Sequence, residues 1–169
     1  MKTRGITFFL GDDGSQMTNE LVREFAFGFQ DLGYSARCVP SSSIKSLIAL
    51  EKEILINNTV LFVSLSGLGM DMRATNNVFH KLDIPLFLML LDQPLHYWDK
   101  VEAPVGLNAI SALSEADKNF MHKYSKLDRK RFKLVHAANP KLPTPWANKD
   151  LGLVYFGTLR DSPAAQRKS

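Results

Sequence analysis

A chain of 169 residues with 45% hydrophobic and 22% charged side chains has the size of one domain and enough apolar residues for an ordinary core, which excludes a disordered or collagen-like chain. Its one cysteine, Cys38, excludes an internal disulfide framework and a cysteine-based zinc site, and favours a reducing compartment. The net charge of +4 is uneven: Lys123 to Lys133 holds six basic residues and one acid, leaving 15 basic and 16 acidic residues elsewhere.

Gly5 to Leu10 (GITFFL) reads as a short buried strand that ends at the turn cluster Gly11-Asp12-Asp13-Gly14. Met17 to Leu32 has helical spacing at Leu21, Phe25, Phe29 and Leu32, with Thr18 as an N-cap and Gly33 as the stop. Tyr34 to Val39 is a second strand, closed by Pro40. Ser41 to Ser43 caps a helix over Ile44 to Ile56 that Asn57-Asn58 breaks. Thr59 to Leu65 (TVLFVSL) is apolar almost throughout, as a strand covered on both faces must be. The turn Ser66-Gly67-Leu68-Gly69 and a helix over Asp71 to Leu82 follow it.

Ile84 to Leu91 (IPLFLMLL) is the fourth strand, and Asp92 to Val101 is a polar, aromatic loop. Val105 to Leu113 is the fifth strand, with Ser114 to Asp117 opening a short helix that runs to Tyr124. Arg131 to His136 is the sixth strand. A proline-rich stretch then leads to one further strand, Leu151 to Phe156, which ends at Gly157. Strands alternating with helices imply an α/β fold: an open, doubly wound, mostly parallel Rossmann-like sheet with helices on both faces. Residues 1–136 form that domain, 137–150 a linker, and 151–169 the first strand of a second, incomplete domain or a tail.

The apolar run at Ile6 to Leu10 is too short for a signal peptide. The run from Ile84 to Leu91, interrupted by Pro85, falls short of the ~20 residues of a membrane span. The expectation is a cytoplasmic protein, with peripheral membrane contact through the basic segment left open. That segment reads either as a solvated helix end or as a contact for an anionic partner. It lacks the spread of cations and aromatics expected of a sequence-specific nucleic-acid binder.

In a doubly wound sheet, ligands bind at the carboxyl ends of the strands, near the point where strand order reverses. Asp12 and Asp13, on the turn after the first strand, read as a base or a hydroxyl acceptor, or as a solvated turn. Gly67 and Gly69 read as a loop that lets backbone amides approach a ligand, or as an ordinary tight turn. Met72 occupies the third glycine position of a dinucleotide fingerprint, and no Walker loop is present. Asp92 to Trp98 (DQPLHYW) places an acid, an imidazole and two aromatics after a buried strand, suited to a polar ligand held by hydrogen bonds and stacking. His136 ends a strand in the same way. His80 reads as structural and His122 as exposed. No local spacing makes His96 or His136 a metal ligand. A phospho-receiver fails, because Ser64 to Ser66 lack its aspartate and Ser111 to Leu113 its lysine. A flavodoxin-like enzyme fits poorly, because Asp12 and Asp13 repel a phosphate.

The stretch LFLMLLDQPLHYWDKV (Leu86 to Val101) resembles the strand-Asp-x-Pro-x-x-His segment of bacterial glycosyltransferases related to the spore-maturation type, here with one residue between Pro94 and His96. NAISALSEADKNFMHKY (Asn108 to Tyr124), LVHAAN (Leu134 to Asn139) and LGLVYFGTLRDSPAAQR (Leu151 to Arg167) are similar to that family's later segments, in order. The resemblance implies the acceptor-binding half of a two-domain GT-B type enzyme, whose other half holds a nucleotide-sugar. Asp92, His96 and His136 match motif residues that face the cleft. Gly157 matches the start of the first donor-side loop. The expectation is therefore Asp13 or His96 as the base, with Asp12, Gly67, Gly69, Asp92, His136 and Gly157 binding substrate. No metal and no cofactor beyond the donor nucleotide-sugar is implied. The partner is a sugar acceptor, whether glycan, lipid-linked or protein, and a homo-oligomer is open. The alternatives are a non-enzymatic module for an anionic partner and a flavodoxin-like small-molecule enzyme.

Overall fold

In the computed structural model, residues 4–11, 16–43, 47–70, 84–103 and 107–134 are described. The chain divides into two compact units, Met1–His136 and Ala137–Ser169, and all described residues lie in the first. The linker expected at 137–150, the strand expected at 151–156 and the helix expected at 71–82 lie outside the described residues.

Six strands alternate with helices: β1 (Gly5–Leu10), α1 (Gln16–Asp31), β2 (Ser35–Pro40), α2 (Leu47–Asn57), β3 (Thr59–Leu65), β4 (Leu86–Met89), α3 (Trp98–Val101), β5 (Leu107–Ala112), α4 (Glu115–Tyr124) and β6 (Lys130–Lys133). They form one open sheet in the order β2-β1-β3-β4-β5-β6. Every pairing is parallel, so the expected mostly parallel sheet is wholly parallel among the described residues. Strand order reverses between β1 and β3.

Alternation along each strand divides the core in two. Ile6, Phe8 and Leu10 of β1 pack with Val63, Leu65 and Met89 under Val22 and Ala26 of α1. Phe9, Phe62, Leu86, Leu88 and Ile110 face the other way and meet Leu50 of α2, Val101 of α3 and Met121 of α4. Helices therefore cover both faces, giving the three-layer Rossmann-like arrangement. The rings of Phe9 and Phe62 stack with centroids 5.5 Å apart. Both side chains are fully buried.

Local signals explain where the helices stop. Gly33, at φ +86°, takes the left-handed position after α1. Its amide donates to the Gln30 carbonyl and that of Tyr34 to the Phe29 carbonyl, the two bonds of a Schellman cap. Asn58, at φ +50°, takes the same role after α2. Two expected caps differ. Thr18 lies inside α1, which begins at Gln16, and Ser41–Ser43 forms a separate 3-10 turn ahead of α2. Ser114 caps α4 as expected, its hydroxyl accepting from the Asp117 amide at 3.0 Å.

The amino edge of the sheet is held by one buried amide. Asn57, the last residue of α2, is 5% exposed. Its Nδ2 donates to the Ile6 carbonyl (3.3 Å) and to the Thr7 hydroxyl (3.2 Å), and lies 3.5 Å from that of Thr59. Its Oδ1 accepts from the Ser35 hydroxyl at 2.6 Å. The hydroxyls of Thr7 and Thr59 bond each other at 2.7 Å. One side chain thus ties α2 to the first residues of β1, β2 and β3. Gly5 makes room for it: a Cβ there would lie 1.9 Å from the Asn57 carbonyl oxygen. The β1–β3 register shifts between Gly5 and Ile6, beside this amide.

Replacing Asn57 by Leu removes the donor to the Ile6 carbonyl and the Thr7 hydroxyl and the acceptor of the Ser35 hydroxyl, and is expected to cost about 2–3 kcal/mol. Gly5→Ala is expected to destabilise at least as much, because backbone must move. Thermal or urea unfolding of the two variants checks both.

Candidate functional site

Because all six strands run the same way, the loops after them share one edge of the sheet. The described parts of that edge are Gly11, Ser41–Ser43, the turn Ser66–Gly69, Leu91 to Val101, Leu113–Ser114 and Leu134. The Asn19 side chain of α1 holds Gly11 on both sides: its Oδ1 accepts from the Gly11 amide at 2.7 Å, and its Nδ2 donates to the Gly11 carbonyl at 3.2 Å. Asn19 thereby fixes the end of β1 just ahead of Asp12 and Asp13, which lie outside the described residues, as do His136 and Gly157.

The turn after β3 is strained into place. Ser66, Gly67 and Gly69 all have positive φ, at +47°, +86° and +76°. Glycine is required at two of them by close approach as well. A Cβ on Gly69 would lie 2.6 Å from the Phe9 ring, and one on Gly67 would lie 2.9 Å from Cγ of Lys100. The turn is anchored to its surroundings. The Ser64 hydroxyl donates to the Leu68 carbonyl at 2.6 Å, the Ser66 amide to the Met89 carbonyl at 2.7 Å, and the Leu91 amide to the Ser66 hydroxyl at 3.2 Å. The last two bonds join the β3 turn to the end of β4.

The segment expected to be a loop at Asp92–Val101 is mostly helical: a 3-10 turn at Pro94–Tyr97 runs into α3. Pro94 and Val101 are buried and pin its two ends. His96 is exposed between them, and Asp92 is exposed two residues ahead of Pro94. The Tyr97 hydroxyl reaches the Asp92 carboxylate at 3.4 Å, so this aromatic orients the acid. Trp98 is no open stacking platform. The turn of α3 directs its ring edge-on against Phe120 of α4, centroids 5.6 Å apart.

Lys100, on α3, completes the arrangement. Its aliphatic stem crosses Gly67, its Nζ lies 3.1 Å from Asp99, and its side chain is 18% exposed. Four of the expected site residues, Gly67, Gly69, Asp92 and His96, therefore stand on the turns of two adjacent strands, joined by backbone bonds and by the Lys100 stem. Tyr97, Lys100 and Asn19 were not expected in these roles. The sequence sign of Lys100 is slight: a lysine one helical turn after the Pro-x-His segment. Among the described residues no three His, Cys, Asp or Glu side chains converge as a metal would require.

The basic segment divides into two kinds of cation. Arg129 is half-buried and donates both terminal nitrogens to the carbonyls of Val101 and Ala103, capping the end of α3. Burial pulls its pKa below the ordinary arginine value, Glu102 opposes that shift, and Arg131 adds to it. Arg131 donates to the carbonyls of Arg129 (3.0 Å) and Leu127 (2.6 Å). Lys123, Lys126, Lys130 and Lys133 are exposed. A cleft of about 340 Å³ lined by Lys118, His122, Asp128, Arg129 and Arg131 lies beside them. A groove of about 540 Å³ lies at the amino edge instead, between Tyr34 and Ile56, and holds no acid or imidazole. Cys38 is part-buried, and burial raises its thiol pKa against a smaller opposing effect of Arg23.

The fold defines the chain as an open, parallel α/β domain with a Rossmann-like three-layer arrangement. No known protein family and no curated protein matches the sequence. No described helix is long and apolar enough to cross a membrane.

Arg129→Met is expected to destabilise the domain by about 1–3 kcal/mol, because two carbonyls lose charged donors. Lys126→Met is expected to stay within about 0.5 kcal/mol. Equilibrium unfolding in urea distinguishes them. Gly69→Ala is expected to cost at least the ~1–2 kcal/mol of a left-handed non-glycine residue, with the Phe9 contact in addition.

Proposed function

We propose that the chain is the acceptor-binding half of a glycosyltransferase of GT-B type, transferring a sugar from a nucleotide-sugar held by a complementary half. One observation carries the reading. An exposed carboxylate, Asp92, and an exposed imidazole, His96, stand on one pinned turn at the end of β4, bonded to a glycine turn beside the reversal of strand order. Ligands of open α/β sheets bind at such a place. Carboxylates and imidazoles recognise hydroxyl-rich ligands through hydrogen bonds, and imidazole is the side chain whose ordinary pKa lies nearest neutrality.

In this reading Asp92, oriented by the Tyr97 hydroxyl, accepts a hydrogen bond from the sugar acceptor. His96 takes the proton of the attacking hydroxyl as that oxygen bonds to the donor's anomeric carbon. The diphosphate leaves with the bonding pair and is stabilised by the complementary half. Asp13 is the alternative base, Asp12 extends the site from the segment after β1, and His136 and Gly157 extend it by resemblance. The glycine turn makes room for the Phe9 ring and the Lys100 stem, which brace it beside Asp92 and His96.

The reading as a module for an anionic partner draws less support, because Arg129 and Arg131 are engaged by backbone carbonyls. A flavodoxin-like enzyme shares the strand order β2-β1-β3-β4-β5, but strand order alone does not assign an activity.

Titration of the 169-residue chain with an oligosaccharide panel and with nucleotide-sugars, followed by calorimetry, tests the proposal. Acceptor glycans are expected to bind and nucleotide-sugars alone to bind weakly. Asp92→Asn and His96→Ala are each expected to weaken glycan binding about tenfold, or ~1.4 kcal/mol. Tyr97→Phe should weaken it less. Absence of glycan binding, or binding indifferent to both substitutions, would refute the reading.

A further inference from the structure

Helix α2 (Leu47–Asn57, LIALEKEILIN) is apolar on two opposite sides. One side is accounted for: Leu50 is fully buried, Ile54 packs against the core, and Asn57 holds the amino edge. At 3.6 residues per turn, Ile48, Lys52 and Leu55 point directly away from that core, flanked by Glu51 and Ile56. Ile48 is 77% exposed, Leu55 80% and Ile56 54%. Glu51 and Lys52 are exposed too. A surface helix of a monomer ordinarily keeps its outer face polar. Here two of the largest outward side chains are aliphatic, one helical heptad apart, with a charged pair between them.

The order of these residues is self-complementary. Two copies of α2 laid antiparallel, with a two-fold axis passing between Glu51 and Lys52, place Ile48 of each copy against Leu55 of the other. The same axis places Glu51 of each copy against Lys52 of the other. A parallel arrangement would instead set Glu51 against Glu51 and Lys52 against Lys52, at a cost in like-charge repulsion. Charge and apolar order thus select one partner and one orientation.

We infer that α2 is the interface of a symmetric homodimer, pairing antiparallel with α2 of a second copy of this chain. The contact is isologous, as a two-fold interface must be. A single-helix seam buries less than the ~1,200 Å² of a stable interface, so the dimer is weak and concentration-dependent. The seam residues Ile48, Glu51, Lys52 and Leu55 include none of the candidate site residues. The inference is therefore independent of the glycosyltransferase reading.

Sedimentation velocity of the 169-residue chain over a concentration series tests it. The chain is expected to shift from monomer to dimer as concentration rises. Leu55→Glu, at a position too exposed to threaten the fold, is expected to leave only monomer, with the thermal melt confirming a folded chain. Glu51→Lys is expected to weaken the dimer at least tenfold, and the double exchange Glu51→Lys/Lys52→Glu to restore it. A chain that stays monomeric throughout overturns the inference. So does a dimer that survives Leu55→Glu, or a double exchange no better than the single one.

Discussion

The arrangement of this domain hangs on the carboxamide of Asn57. It is a buried polar group that the end of α2 carries into the sheet, and burial without partners would cost more than its hydrogen bonds return. It has partners on every side: the Ile6 carbonyl and the hydroxyls of Thr7, Thr59 and Ser35. Those residues begin the three strands whose order defines the fold. Slipping β1, β2 or β3 by one residue would strand donors and acceptors together, so the network selects a single register where apolar packing alone would tolerate others.

Fixing the strands at their amino ends has a consequence at their carboxyl ends. Parallel strands of set register deliver their loops to one edge at set heights. The Ser66–Gly69 turn is positioned there by contacts from three sources: the Phe9 ring below, the Lys100 stem above and the backbone of β4 alongside. Positive φ at three of its four residues is tolerated because these contacts determine the turn jointly. The amino edge thus carries the stabilising network and the carboxyl edge carries the exposed acid and imidazole, a separation that allows one edge to vary while the other holds the fold.

The basic segment shows how a charge run can mislead. Read as a string, Lys123–Lys133 is a patch of six equivalent cations. In the fold, Arg129 and Arg131 turn inward to satisfy carbonyls that α3 and the segment before β6 leave open, while the lysines remain outside. Guanidinium groups suit this use because several donors in a planar fork can serve two carbonyls at once, which an ammonium point charge does not do as well. A similar redirection befalls Trp98, which composition marks as a stacking surface and which α3 turns against Phe120.

Much of the architecture was legible in the chain because its causes are local. The apolar runs of β1, β3 and β4, the stops at Gly33 and Asn58 and the cap at Ser114 each depend on residues within a turn or two of one another. The exposed acid and imidazole were legible as well, being short-range neighbours after a buried strand. What only the tertiary structure decided is which side chains meet across the chain: Asn57 with Thr7, Lys100 with Gly67, Arg129 with Val101. Such partners lie tens of residues apart and are brought together by strand order, a property of the assembled sheet to which no single stretch of sequence refers.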